Sequence, residues 1–265
     1  MTLFGAMGLQ MRRITNRLLI WGMAATAVAA LAAVAPRHAD AAVLIHEYTF
    51  DESGVTDSVG SVNGTLVGGA SVSGGVLSLD GVNDYVQMGG KIVPTGLSAF
   101  SLTLDARQLS AQTGFVELIS QGQSGTSPSG FYVGHNPAGT IRITDQFGAV
   151  GGSFPTDGAF HFYALTSGAS GTDFYVDGIS VFSSPTQLNL TPFGTNTRLG
   201  RQFNPYSEFF HGELDNLRVY DGALTAIEVQ ALIQVPEPGV LALFGLALAG
   251  LGTVRRKRQG EIRPR

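Results

Sequence analysis

Short segments of this chain alternate apolar and polar residues at period two, and pairs able to reverse the backbone stand between them. The alternating segments are VLIHEYTF (43–50), VLSLD (76–80), YVQM (85–88), FSLTLDAR (100–107), FVELIS (115–120), TIRIT (140–144), FHFYALTS (160–167), DFYVDG (173–178) and ELDNLRVY (213–220). Successive side chains of a strand point to opposite faces, so each segment can bury one face and wet the other. The turn signals are Asn63-Gly64, Gly74-Gly75, Asp80-Gly81, Asp157-Gly158 and Asp177-Gly178. Strands this short and closely spaced favour antiparallel neighbours over the long crossovers of a parallel sheet. The expected fold class is all-β, a two-sheet antiparallel sandwich. One short helix is expected within it: Thr225 caps, Glu228 completes an S/T-x-x-E box, and Ile227, Val229 and Leu232 supply apolar contacts. No repeat and no long interior linker divides the chain, so a single domain is expected over 42–234.

The two ends carry different chemistry. Arg12, Arg13 and Arg17 precede the apolar stretch Leu18–Val34, and Ala39-Asp40-Ala41 offers small residues to a signal peptidase. A charged start, an apolar middle and an A-x-A exit define a secretory signal. It is read here as a signal helix over 1–41 that leaves Ala42 first, with Met11 the more natural start. At the other end, Pro236-Glu237-Pro238 interrupts any helix upstream. The uncharged run Gly239–Val254 and the cluster Arg255-Arg256-Lys257-Arg258 follow. As a helix, the run would be roughly 24 Å long at about 1.5 Å per residue, slightly short of a hydrocarbon core about 30 Å thick. The basic cluster would keep its end on the cytoplasmic side. A plain single-span anchor is the alternative account of 235–265.

Between these ends the balance of charge reverses. Residues 42–235 hold 17 Asp and Glu against six Lys and Arg, so six minus 17 gives −11, where the whole chain is −4. A domain so acidic lacks the positive surface that phosphate backbones require, which argues against nucleic acid. There is no Cys, so disulfides, thiolate catalysis and cysteine-ligated metals are excluded.

The tripeptide, short apolar run and arginine cluster closely resemble the PEP-CTERM sorting signal of Gram-negative bacterial surface proteins, carried by Pro236, Glu237, Pro238, Arg255 and Arg256. That resemblance implies an exosortase-like processing enzyme, transient anchoring in the inner membrane, and a place at the cell surface or extracellular matrix alongside exopolysaccharide. Three internal motifs carry a second resemblance: HEYTFDESGVTDSVGSVNGTLVGGA (46–70), GGVLSLDGVNDYVQM (74–88) and FHGELDNLRVYDGALTAIEVQAL (210–232). In this order, with DGAFHFYALTSGASGTDFYVDG (157–178) between the last two, they resemble the laminin G-like, concanavalin A-type jelly roll over about residues 43–233. The resemblance implies two sheets packed face to face with loops along the rims.

That fold serves lectins, adhesion modules and glycan-cleaving enzymes alike. Laminarinase-type hydrolases of the fold carry E-x-D-x-E on one strand. On a strand Glu213, Asp215 and Leu217 point to one side. Here Glu213-Leu214-Asp215-Asn216-Leu217 ends in leucine and Arg218 follows, so the acid/base is missing. His46, His135, His161 and His211 show no H-E-x-x-H spacing and no serine sits in G-x-S-x-G. The expectation is a non-catalytic carbohydrate-binding or adhesion module. Its alternatives are a structural surface protein without a small ligand and a glycan-cleaving enzyme.

Sugar faces stack on exposed aromatics beside placed polar groups. The only Trp, Trp21, lies in the signal segment, so the ligand-binding candidates are Phe203, Tyr206, Tyr132 and His135. Asp80, Asn83 and Asp84 surround a glycine turn with three oxygen-bearing side chains, as a hard cation needs. The resemblance implies one calcium ion there, and an Asx turn is the competing account. Asp51 with Asp215 is a second place for the ion.

Overall fold

The computed structural model describes residues 42–122, 130–144, 146–189, 196–203 and 206–233. The signal helix and the C-terminal apolar helix expected from sequence lie outside the described residues. Among those residues no helix is long and apolar enough to cross a membrane.

Two antiparallel sheets make the domain. Along sheet A run β13 (Ile179–Ser184), β12 (Gly171–Val176), β11 (His161–Gly168), β6 (Phe100–Gln108), β15 (His211–Asp221), β4 (Val76–Asp80) and β3 (Ser71–Ser73). The opening strand β1 (Val43–Tyr48) also pairs with β15, beyond the stretch held by β4. Sheet B runs β10 (Gly148–Ser153), β9 (Thr140–Thr144), β8 (Gly130–His135), β7 (Val116–Gly122), β14 (Asn196–Leu199), β5 (Tyr85–Met88) and β2 (Gly64–Val67).

Register explains the core. Across sheet B, Val133, Ile119, Leu199, Val86 and Leu66 lie side by side on one rung. On sheet A the matching row is Phe174, Leu165, Leu102 and Val219. These rows meet in one continuous apolar cluster, in which Leu66 alone is only partly buried. Each fully buried side chain of this size contributes about 1.5–3 kcal/mol. The next rung of sheet B is polar, Tyr132, Ser120, Arg198, Gln87 and Thr65, and by the period-two rule it faces away from the core.

Two of the turn signals form tight hairpins. Gly74 and Gly75 (φ 63° and 82°) join β3 to β4, and Asp177 and Gly178 (φ 49° and 73°) join β12 to β13. Left-handed backbone at both loop residues matches the twist of the strands they connect. Asn63-Gly64 behaves differently from expectation. Gly64 begins β2, and the Asn63 side-chain oxygen accepts the Asp57 N–H at 2.9 Å. It serves a loop clasp in which buried Asp57 meets His46 at 2.6 Å and accepts the amides of Gly60 and Val62. Burial raises the Asp57 pKa, but these hydrogen bonds outweigh it and hold the carboxyl below its usual range.

The helix α1 (Ala226–Ile233) forms with its box intact: Thr225 N–H and hydroxyl both donate to the Glu228 carboxylate, at 2.7 and 2.9 Å. It covers part of the outer face of sheet A through Val229, against Ala164, Tyr175, Tyr220 and Leu224. Leu232 packs at the margin of that cluster. Ile227 is 81% exposed, contrary to expectation, because it falls on the side of the helix turned away from the sheet.

A β-bulge shapes β15. Asp215 lies opposite Asp105 and Arg218 opposite Thr103, so Asn216 and Leu217 together span one step of β6. Asn216 adopts φ 48°. Leu217 therefore enters the core at 2% exposure and does not share a face with Glu213 and Asp215 as regular alternation would require.

Candidate functional site

The outer face of sheet A closes on itself. Glu213 lies opposite Arg107, and the carboxylate takes the guanidinium in bonds of 2.6 and 2.7 Å. Arg218 likewise holds Glu47, its register partner on β1, at 2.8 Å. Between them the Asn216 amide donates to both Asp105 (3.0 Å) and Asp215 (3.1 Å). Burial, reinforced by the neighbouring charges of Asp105 and Asp51, raises the Asp215 carboxyl to about 6 against the Asn216 amide and Arg218, and burial raises Asp105 too. At the sheet end His161 sits between Asp177 (2.7 Å) and Asp157 (3.0 Å). Burial lowers its pKa, and the two carboxylates more than reverse that.

The outer face of sheet B is built from arginines and aromatic rings. Arg142 on β9 reaches across β8 to Glu117 on β7, at 3.3 Å. The residue between them is Gly134, where a methyl would run into the Val116 carbonyl and the Glu117 carboxylate. A glycine inside a strand here marks a close approach of side chains. The guanidinium of Arg142 lies 4.6 Å from the Tyr132 ring and 4.5 Å from that of Phe115, and donates to the Tyr132 hydroxyl at 2.7 Å.

Further along this face a second group gathers on Tyr85. Arg198 and Arg201 stand 5.5 and 4.9 Å from its ring centroid, and Arg201 stands 4.8 Å from the Phe209 ring. Arg198 Nε donates to Gln87 at 3.0 Å and one terminal nitrogen donates to the Gln202 carbonyl at 3.2 Å. Arg201 reaches the Tyr206 carbonyl at 3.3 Å. Neither arginine meets a carboxylate among the described residues. Burial, with Arg201 as a neighbouring like charge, lowers the Arg198 pKa.

Of the aromatic candidates only Tyr206 presents a surface, being 57% exposed. Phe203 (2%), Tyr132 (0%) and His135 (1%) are buried, which corrects the expectation that they offer faces to a sugar. Tyr132 lies beneath Arg142. His135 packs on Phe154 and contacts the Asn136 carbonyl and the Gln108 side chain. Tyr132 is covered like its neighbour Phe131 because both faces of β8 are buried.

Asp80, Asn83 and Asp84 do share a loop, and its own backbone uses its oxygens. Asp80 Oδ1 accepts Val82 N–H at 2.8 Å and Asn83 N–H at 3.2 Å, an Asx turn. Asp84 accepts the amides of Gly69 and Asp80 on its two oxygens. The side-chain oxygens left over are one Asp80 oxygen and the Asn83 amide oxygen, so a calcium ion here would draw most of its six to eight ligands from backbone carbonyls and water. Among the described residues no group of three or more His, Cys, Asp or Glu is placed to hold a metal ion.

Sequence reasoning passed over Arg198 and Arg201. The available signal was two of the domain's six basic residues standing three apart.

Comparison with known proteins places the fold. The fold resembles domain 4 of AbnA, an extracellular arabinanase of Geobacillus stearothermophilus solved with arabinotriose. The TM-score is 0.56 at 20% identity, over 73% of this chain and 99% of that one. It also resembles Trypanosoma rangeli sialidase (TM-score 0.58, 14% identity), covering 72% of this chain but only 32% of the sialidase. A third likeness is the binding domain of botulinum neurotoxin DC in complex with SialylT. There the TM-score is 0.56 at 12% identity, over 72% of this chain and 50% of that one. No curated protein matches. Residues 234–258, which lie outside the described residues and include Pro236, Glu237, Pro238, Arg255 and Arg256, match the PEP-CTERM protein-sorting motif. That motif marks an exported protein with a C-terminal sorting signal and implies an exosortase-type processing enzyme. Residues 79–230 match the Laminin_G_3 model, more than half of the sequence, and the chain belongs to the concanavalin A-like lectin/glucanases superfamily.

Proposed function

We propose that this protein is a non-catalytic carbohydrate-binding or adhesion module of a Gram-negative cell surface or extracellular matrix, associated with exopolysaccharide. In this reading signal peptidase removes residues 1–41, and the tail holds the protein briefly in the inner membrane until an exosortase-like enzyme processes it. The observation that carries the binding role is the outer face of sheet B, where Tyr85, Arg198, Arg201 and exposed Tyr206 gather on rigid strands and their adjoining loop. Rings beside fixed hydrogen-bond donors are what a sugar-binding surface requires. The resemblance to domains solved with arabinotriose and with SialylT supports the same reading.

The non-catalytic half rests on β15. Glu213 is tied to Arg107, and the position where a hydrolase of this fold would place its acid/base is Leu217, buried in the core. One observation favours the glycan-cleaving alternative: Asp215 and Asp105 form a carboxylate pair with raised pKa values, and such pairs cluster at catalytic sites.

A glycan array with calcium and again with chelator tests the binding role, with Kd values expected in the micromolar-to-millimolar range, about −8 to −4 kcal/mol. Tyr206→Ala should weaken binding without lowering the melting temperature. Failure to bind any glycan would leave a structural surface protein. New reducing or unsaturated chain ends, lost in Asp215→Asn or Glu213→Gln, would replace the module by an enzyme.

A further inference from the structure

We propose that Arg198 and Arg201 form an acidic-sugar subsite that takes the carboxylate of a uronate-type unit in an anionic polysaccharide. The proposal rests on the carbohydrate-binding reading of this face and names the class of glycan.

The argument starts from scarcity. In a domain with 17 acidic and six basic residues, carboxylates are abundant and guanidinium groups are not. Three of the arginines follow that expectation: Arg107 holds Glu213, Arg142 holds Glu117, and Arg218 holds Glu47. Among the described residues Arg198 and Arg201 do not, and they stand together at the ring of Tyr85. Two like charges sharing one ring repel each other, and their partial burial weakens the screening that would relieve it. A bound anion would remove that repulsion.

The donor geometry suits a carboxylate. A guanidinium has five N–H groups in a planar fork. Arg198 commits one to Gln87 and one to the Gln202 carbonyl, and Arg201 commits one to the Tyr206 carbonyl. These bonds position the two groups and leave most of their donors unspent. The Nε of Arg201 is buried and makes no hydrogen bond among the described residues. The side-chain oxygen of Gln202, a residue only 5% exposed, is also buried without a partner among them. The unspent terminal N–H groups of the two guanidinium forks match the two oxygens of a carboxylate, and exposed Tyr206 adjoins the Arg201 fork through its backbone carbonyl. Pairing with an anion would then be charge-assisted on both arginines at once.

The test measures binding of the purified domain to polygalacturonate and alginate, each compared with the same polymer after its carboxyls are reduced to alcohols. Binding should favour the carboxylated forms about tenfold or more and weaken with added salt. The double variant Arg198→Gln/Arg201→Gln should lose that preference. Its melting temperature should fall by no more than the loss of its surface hydrogen bonds and ring contacts gives, because neither side chain holds an ion pair among the described residues. Should the double variant fail to fold, Arg201→Lys keeps the charge and removes the fork, and it should bind the polyuronates several-fold more weakly. Equal binding of carboxylated and reduced polymers would overturn this inference and leave the carbohydrate-binding reading standing. So would an undiminished preference in the variants, or binding confined to neutral glycans on the array. Absence of binding to every polymer and every arrayed glycan would remove both.

Discussion

The outer faces of the two sheets treat charge in opposite ways. On sheet A every arginine meets a carboxylate and a helix covers the apolar remainder. On sheet B one arginine is paired and deeply set, while Arg198 and Arg201 stand on Tyr85 without a carboxylate among the described residues. Both faces grow from the same period-two alternation over one shared core. A sheet face that spends its charges internally gains rigidity and offers little to a ligand. A face that holds donors in reserve accepts some repulsion in exchange for something to bind with.

The sharpest way to break this comparison is at Glu117, whose side chain is fully buried against Arg142. Removing one partner of a buried pair leaves the other charge uncompensated, so Glu117→Gln should cost about 3 kcal/mol in urea unfolding. A loss below about 1 kcal/mol would mean that Arg142 finds another anion and the face is looser than drawn. Next in size, Thr225→Ala removes the helix cap beside sheet A and should cost about 1 kcal/mol, read as a lower melting temperature. Smaller still is Glu213→Gln. Its Arg107 partner has a side chain 35% exposed, and such pairs contribute roughly 0.5 kcal/mol.

Acidity probes the same contrast. The Asp215 carboxyl is raised on folding, so between about pH 4 and about 6 the folded chain binds more protons than the unfolded one. Stability should therefore fall as pH rises through that window and level off above it. Asp215→Asn should flatten this slope in urea titrations at pH 4, 5, 6 and 7, and an unchanged slope would assign it to another group. Calcium should have the smallest effect. With the Asp80 loop closed on its own amides, millimolar calcium and excess EDTA should give melting temperatures within about a degree. A rise of several degrees in calcium would mean that the loop opens to ligate the ion, since a ligand at 100 times its Kd adds about 2.7 kcal/mol.

The sandwich was largely legible before the structure. Alternation located β1, β4, β5, β6, β7, β9, β11, β12 and β15, and the Gly74-Gly75 and Asp177-Gly178 turns are hairpins as read. Three of the six strands it passed over have plain physical reasons. Ser71–Ser73 is too short to show a period, Gly148–Ser153 is glycine-rich and half-exposed, and Gly130–His135 is buried on both faces and so does not alternate. The site was much less legible. Burial of Phe203 and Tyr132 depends on what packs over them, which local sequence does not state. That Arg142 and Arg218 are neutralised depends on partners 25 and 171 residues away. Only once those pairs are known do Arg198 and Arg201 stand out.

Asn216 has one more consequence. Upstream of it, Glu213 and Asp215 face outward with Leu214 inward. Downstream, Arg218 and Tyr220 face outward with Leu217 and Val219 inward. If Asn216 were excised, Asp215, Leu217, Arg218 and Val219 would read as an ordinary strand with every side chain on its present side. The hydrophobic pattern therefore has no use for this residue. Its absence would be felt by Asp105 and Asp215, which sit opposite each other on neighbouring strands and share the one amide that separates their charges.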